Sequence, residues 1–251
     1  MVREAAHVDL LSTLGKQYGT DKVEQGFTKI YHLRLRAQRL SVTRILEVGV
    51  YFGSSLRMWR DYFPNATVVG VDTFRGIDGW SNVWGDGKRT TFPNADKFLR
   101  EWKEHLHGPR LHLVVGNQSD DLSMQQVTSE LQPWTPFDII VEDGSHLNRD
   151  QQVNLAQLLP LIKPGGLYIL EDLHCSLQSG YDDPLGSYNT ALKTLERFNR
   201  TRKLRSRHLT ATQSSLLEAW IEAVEIAQTP KHKWTSFITK RQTPRHPGRI
   251  S

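Results

Sequence analysis

Arg44-Ile45-Leu46-Glu47-Val48-Gly49-Val50-Tyr51-Phe52-Gly53 is an apolar run that breaks at one glycine and ends at a second. Its first five residues read as a strand, and the glycines allow a sharp turn. Residues 54–63 follow in helical rhythm, with Leu56, Trp59 and Phe63 on one face and Ser54 placed to cap the start. Strand, glycine turn and helix together open a β-α unit, the repeating element of a parallel sheet covered by helices on both sides.

Working outward, the same alternation recurs. Strands are predicted at 67–71, ending at Asp72, and at 111–115, 137–141 and 167–170. Helices are predicted at 94–106, 120–131 and 148–159, the last closed by Pro160. Lys163-Pro164-Gly165-Gly166 reads as a tight turn before the fifth strand. An amphipathic helix is predicted over 188–200, with Tyr188, Leu192, Leu195 and Phe198 on one side, and two strands joined by a short turn over 221–227 and 234–240. Upstream, helices are expected at 8–17 and at 27–39, where Ile30, Leu33 and Leu40 mark the apolar face. Residues 73–93, with Trp80 and Trp84, form a long connection of the kind that serves as a lid or binding loop. The expected fold is α/β: a Rossmann-like, doubly wound seven-stranded sheet, mostly parallel, with a C-terminal antiparallel β-hairpin and short N-terminal helices. That closing pair is not expected of a plain dinucleotide dehydrogenase.

Composition narrows the field. The 251 residues are 38% hydrophobic and 24% charged, a globular balance, with no apolar run long enough to span a bilayer. Residues 1–14 lack the layout of a secretion signal, and Cys175 is the only cysteine, so neither an internal disulfide nor a thiolate zinc cage can form. A cytoplasmic location is the expectation. The net charge of +5 is concentrated in 197–207 and 231–249. It reads either as a solvated helix face and a loose tail, with 242–251 disordered, or as a nucleic-acid patch.

Two sets of residues carry chemistry. Glu47, Gly49 and Gly53 make an E-x-G-x-x-x-G loop, which lacks the middle glycine that a pyrophosphate needs and suits a nucleoside ligand without phosphates, such as S-adenosylmethionine. Asp72 stands where an acid accepts hydrogen bonds from ribose hydroxyls, and Asn117 and Gln118, after the third strand, are placed to meet an adenine edge. Read singly, these are ordinary turn residues; their order is what points to a nucleoside. The second set is acidic: Asp143 after the fourth strand, Glu171 and Asp172 after the fifth. Acids converging without basic partners repel, and a hard divalent cation such as Mg²⁺ resolves that conflict. The competing reading is that these acids cap helices or pair with Arg149. His146, three residues beyond Asp143, is a candidate general base, and His174 a weaker one that lines the site.

With these residues in view, the chain resembles the magnesium-dependent sugar O-methyltransferases of macrolide and tetracenomycin-rhamnose biosynthesis. The likeness extends over about 14–241. It rests on Gly19-Thr20-Asp21-Lys22, Ile45 to Val50, Ser55-Leu56-Arg57-Met58-Trp59, Gly116 to Asp120, Asp143-Gly144-Ser145-His146, and Pro164 to Tyr168 running into Glu171-Asp172. It implies a class I S-adenosylmethionine-dependent methyltransferase domain over 41–241 and an N-terminal helical segment, 1–40, covering the cofactor cleft. It further implies a metal held by Asp143, Glu171 and Asp172, His146 as base, a sugar vicinal diol as acceptor, and room for a homo-oligomer. Glu142 stands where relatives often carry an aspartate. The Trp-rich 76–88 has no match among them, and the chain is too short for the extra N-terminal domain of the larger macrolide-sugar relatives. Three alternatives stay open: a catechol-like acceptor, an RNA acceptor, or a nucleoside-binding module without catalysis.

Overall fold

The structure, a computed structural model, describes residues 9–74 and 109–245. The Trp-rich segment and the helix expected at 94–106 lie outside the described residues.

Seven strands form one sheet in the order β3-β2-β1-β4-β5-β7-β6. They are β1 (Arg44–Val48), β2 (Thr67–Asp72), β3 (Leu111–Val115), β4 (Phe137–Glu142), β5 (Ile162–Leu170), β6 (Ile221–Gln228) and β7 (Trp234–Lys240). β1 to β5 pair in parallel. β7 runs antiparallel to both β5 and β6, so the expected closing hairpin is present and its second strand inserts beside β5. Chain order reverses between β1 and β4, which opens a crevice at their carboxyl ends.

Side-chain parity sorts the core into two layers. Leu46 and Val48 of β1, Ile140 of β4 and Tyr168 and Leu170 of β5 pack on one side. That side is covered by α5 (Asp121–Glu130), α6 (Asn148–Leu158), α7 (Ala191–Thr201) and α8 (Ala211–Trp220). Ile45, Ile139, Val141, Leu167 and Ile169 face the opposite layer, built from α1 (Leu10–Tyr18), α3 (Phe27–Leu35) and α4 (Ser54–Tyr62). A single helical turn, α2 (Lys22–Gln25), joins α1 to α3. Among the described residues no helix is long and apolar enough to cross a membrane.

Several local expectations need correction. Leu33 and Leu40 are exposed; the buried stripe of α3 is Phe27, Tyr31 and Leu35, whose four-residue spacing keeps it on the sheet. Gly53, in the left-handed region, takes the N-cap position of α4 with no side-chain bond, so Ser54 is a first-turn residue and not a cap. The 163–166 segment is not a turn outside the sheet but a bulge within β5, since the register passes from Phe137↔Ile162 directly to Ile139↔Leu167. Tyr188 is exposed and lies before α7, whose cap is Thr190. Helix α8 was not foreseen, although Thr210 and Gln213 form a complete capping box at its start.

Candidate functional site

A cleft of about 700 Å³ opens at the carboxyl ends of β1, β2, β4 and β5, a size suited to a small ligand. Its floor on one side is the β1–α4 loop. Gly49 has a φ of 91°, and a Cβ there would sit 2.0 Å from the Asp143 carbonyl oxygen, so only glycine lets the two loops meet. Asp72 braces this loop: Oδ2 accepts from the backbone N–H of Val50 (2.8 Å) and Tyr51 (3.2 Å), and Oδ1 from that of Phe74 (2.9 Å).

Asn117 and Gln118 line the same cleft. The Asn117 side chain folds back to accept from the Ser119 N–H (3.1 Å), while Gln118 Nε2 donates to Ser145 Oγ (2.6 Å) and so links the β3 and β4 loops. Ser145 in turn donates to Asp150 Oδ2 (2.7 Å) in the first turn of α6.

Glu47 differs from its expected place. It is fully buried beneath the loop, accepting from Ser55 Oγ (2.7 Å) and the Trp59 indole N–H (3.3 Å), and burial raises its pKa to about 7. Strand parity explains this. Glu47 shares the face of Ile45 and points toward α4 rather than into the cleft.

Asp143 and Glu171 obey the same parity, two residues beyond Val141 and Ile169, which are level with each other and with Glu47. Three neighbouring strands thus deliver Glu47, Asp143 and Glu171 to one face, within reach of a shared ion. A cation already stands there. The Lys22 ammonium donates to Asp143 Oδ2 and to Glu171 Oε1 (2.8 Å) and lies 3.5 Å from Glu47 Oε1. The premise that these acids lack a basic partner is therefore corrected: the partner comes from α2, far away in sequence. Burial and the charge on Asp143 push Glu171 well above the usual carboxylate range, an effect that the ammonium opposes. For Lys22, burial works against the charge, but Asp143, Glu171 and Glu47 outweigh it and raise the pKa well above the ordinary lysine value.

Asp172 turns the other way. It adopts a left-handed φ of 54° and joins Asp143 and His146 in a second cluster that opens on the cleft. His146 Nε2 is 3.4 Å from Asp172 Oδ2, and Asp172 Oδ1 makes no hydrogen bond. Asp143 belongs to both clusters, so Asp143, His146 and Asp172 line the cleft while Glu171 lies just beneath. Beside them His174 has its pKa lowered to about 4, first by burial and then by Lys233, whose Nζ is 2.8 Å from Nε2. It is a neutral ring packed behind Asp172.

The competing structural roles fall to other residues. Arg149 pairs with Asp121 (2.8 Å) and Asp150 (3.1 Å), and the start of α6 is capped by Asp182, which accepts from the N–H groups of Asn148 (2.7 Å) and Arg149 (2.9 Å). Neither Arg149 nor the cap of α6 engages the side chains of Asp143, Glu171 or Asp172. The donor set fits a hard divalent ion: carboxylate oxygens of Asp143 and Asp172 gathered with His146 at the cleft, with one buried oxygen of Asp172 lacking a hydrogen-bond partner.

A crevice at the switch point, with a glycine loop, an acid after β2 and carboxylates after β4 and β5, is where open α/β sheets bind their ligands. Residues 46–173 match the family model described as a methyltransferase domain, and the chain belongs to that family. It is 29% identical, over 74% of its length, to the mycinamicin VI 2''-O-methyltransferase of Micromonospora griseorubida, of which it covers 42%. It is 31% identical, over 70% of its length, to the L-olivosyl-oleandolide 3-O-methyltransferase of Streptomyces antibioticus, of which it covers 40%. The chain thus spans about two fifths of these curated relatives. Among solved structures it is similar to the MycE methyltransferase of mycinamycin biosynthesis in complex with Mg, SAH and mycinamycin VI. The TM-score there is 0.67 at 25% identity, covering 96% of this chain and 56% of that one.

Proposed function

We propose that this chain is the catalytic domain of an S-adenosylmethionine-dependent O-methyltransferase that methylates a hydroxyl of a sugar, with a divalent metal and a histidine base. The observation that carries the reading is the open cluster of Asp143, His146 and Asp172 on the same cleft as the Gly49 loop and Asp72. Kinship with macrolide- and tetracenomycin-sugar methyltransferases supports the acceptor class.

The β1–α4 loop, Asp72, Asn117 and Gln118 would hold the cofactor, whose sulfonium supplies an electrophilic methyl carbon. Asp143, Glu171 and Asp172 would hold Mg²⁺ or a similar ion, which supplies a Lewis acid for adjacent hydroxyls of a vicinal diol. His146, which lines the cleft beside Asp172, would take the hydroxyl proton. The protein's main contribution is to align the two reactants. Residues 1–40 would cover the cofactor side, since Thr20, Asp21 and Lys22 line the cleft.

The test is calorimetry of S-adenosylmethionine with and without Mg²⁺, followed by methyl transfer to rhamnosides and related deoxysugar diols. Cofactor binding with Mg²⁺-dependent transfer to a diol supports the proposal. Transfer confined to catechols or RNA would reassign the acceptor, and no cofactor binding would overturn the reading. Asp72→Ala is a poor substitute for this test, because it would also release the loop that Asp72 braces.

A further inference from the structure

Lys22 has no task in the reaction proposed above, yet it is 1% exposed and is held in place by the fold. It opens α2 directly after Asp21, whose carboxylate accepts from Gln25 Nε2 (2.6 Å). The approach to it is set by Gly15 of α1, where a Cβ would meet Val23 Cγ2 at 2.5 Å. The N-terminal helices are thus packed closely enough to deliver one ammonium to the ends of three central strands.

Its partners are not a closed structural pair. Of the three acids around it, Glu47 is wholly internal, but Asp143 also belongs to the open cluster with His146 and Asp172. The ammonium therefore touches two of the three carboxylates, Asp143 and Glu171, that would hold a divalent ion. Two consequences follow from electrostatics alone. Without an ion, the ammonium offsets repulsion between buried acids and fixes their positions. With an ion, a positive charge a few ångströms away opposes it, and the buried ammonium and Glu171 are screened by water only from the cleft side.

We propose that Lys22 is a positioning residue: a resident counter-cation that keeps Asp143 and Glu171 in place before metal arrives and weakens metal binding, so that the ion remains exchangeable. This inference rests on the metal-assisted reading of the site.

The experiment is calorimetric titration of Mg²⁺ into the native protein and Lys22→Met, with thermal unfolding of each with and without Mg²⁺. Lys22→Met is expected to melt lower than the native protein without metal, to bind Mg²⁺ about tenfold more tightly or better, and to gain more in melting temperature from Mg²⁺. A residue with a merely structural part would loosen the acids and could not tighten binding. Equal or weaker Mg²⁺ binding by folded Lys22→Met would overturn the inference and leave the metal-assisted reading intact. Absence of Mg²⁺ binding in every variant, with S-adenosylmethionine still bound, would overturn both. Should Lys22→Met fail to fold, the double variant Lys22→Met with Glu47→Gln removes the ammonium together with one of the buried acids that it offsets. Mg²⁺ binding as tight as native or tighter supports the inference, and any weaker binding overturns it.

Discussion

Gly49 and Gly19 both sit in the left-handed region, with φ of 91° and 70°, but only Gly49 has no room for a methyl group. Nothing lies within 4 Å of a Cβ on Gly19. Gly19→Ala should therefore cost only the backbone term, about 1 kcal/mol. Gly49→Ala adds a collision with Asp143 backbone and should cost more than about 2 kcal/mol. Denaturant unfolding of the two variants checks this, and equal losses would mean that the β1 and β4 loops separate easily. His146 and His174 make a second contrast. Both approach Asp172, but His146 lines the cleft and His174 is a neutral ring set behind. His146→Ala should lower turnover about 10²- to 10⁴-fold with cofactor binding intact. His174→Ala should have a smaller effect; a comparable loss in both would remove the distinction.

At the level of elements, Asp138 ties three strands together. Its Oδ2 accepts from the N–H groups of Thr43 (2.7 Å) and Arg44 (2.8 Å) at the start of β1, and its Oδ1 pairs with Lys163 in the β5 bulge. Burial alone would raise its pKa, but Lys163 and the two N–H groups outweigh it and hold the carboxyl below the usual value of 3.8. A carboxyl with a depressed folded pKa stabilises fully above its unfolded pKa and loses that contribution as pH falls through the folded one. Native protein should thus exceed Asp138→Asn in stability by a constant margin from neutral pH to about 5, with the margin shrinking below about pH 4. Unfolding measured across pH checks it, and a margin that persisted at pH 2 would assign the effect to packing. The strands were readable because each is a compact apolar run stopped by glycine, proline or acid. The helices were harder. Ile30, Leu33 and Leu40 mimic a stripe, but the sheet takes Phe27, Tyr31 and Leu35, and spacing alone does not say which side a helix presents. Helix α8 buries only Leu217 fully, so its apolar pattern is faint and its capping box was the better signal.

On the scale of the whole molecule, the site is where distant segments meet, which explains what the sequence could and could not disclose. Asp143, His146 and Asp172 were legible because strand ends in a parallel sheet lie side by side whatever loops separate them. Lys22 was not, although its motif is conspicuous, because only the packing of α1 to α3 carries it across 121 residues of sequence to Asp143. Glu47 was misplaced for a related reason: strand parity turns it away from the loop to which its motif belongs. A molecule organised in this way should show its ligands as shared stability, because the loops after β1, β2 and β3, proposed to hold the cofactor, and the acids of β4 and β5 are joined by the Asp72, Gln118 and Gly49 contacts. A ligand that binds only the folded state at a hundred times its dissociation constant adds about 2.7 kcal/mol. For a domain of this size that corresponds to a rise of roughly 5–10 °C in melting temperature. S-adenosylhomocysteine is expected to produce such a rise in a single transition, and Mg²⁺ to add to it. If S-adenosylhomocysteine instead split the melt into two transitions, the β1–β3 half would be gaining stability alone, and the contacts that join it to the acids would be too weak to align cofactor and acceptor.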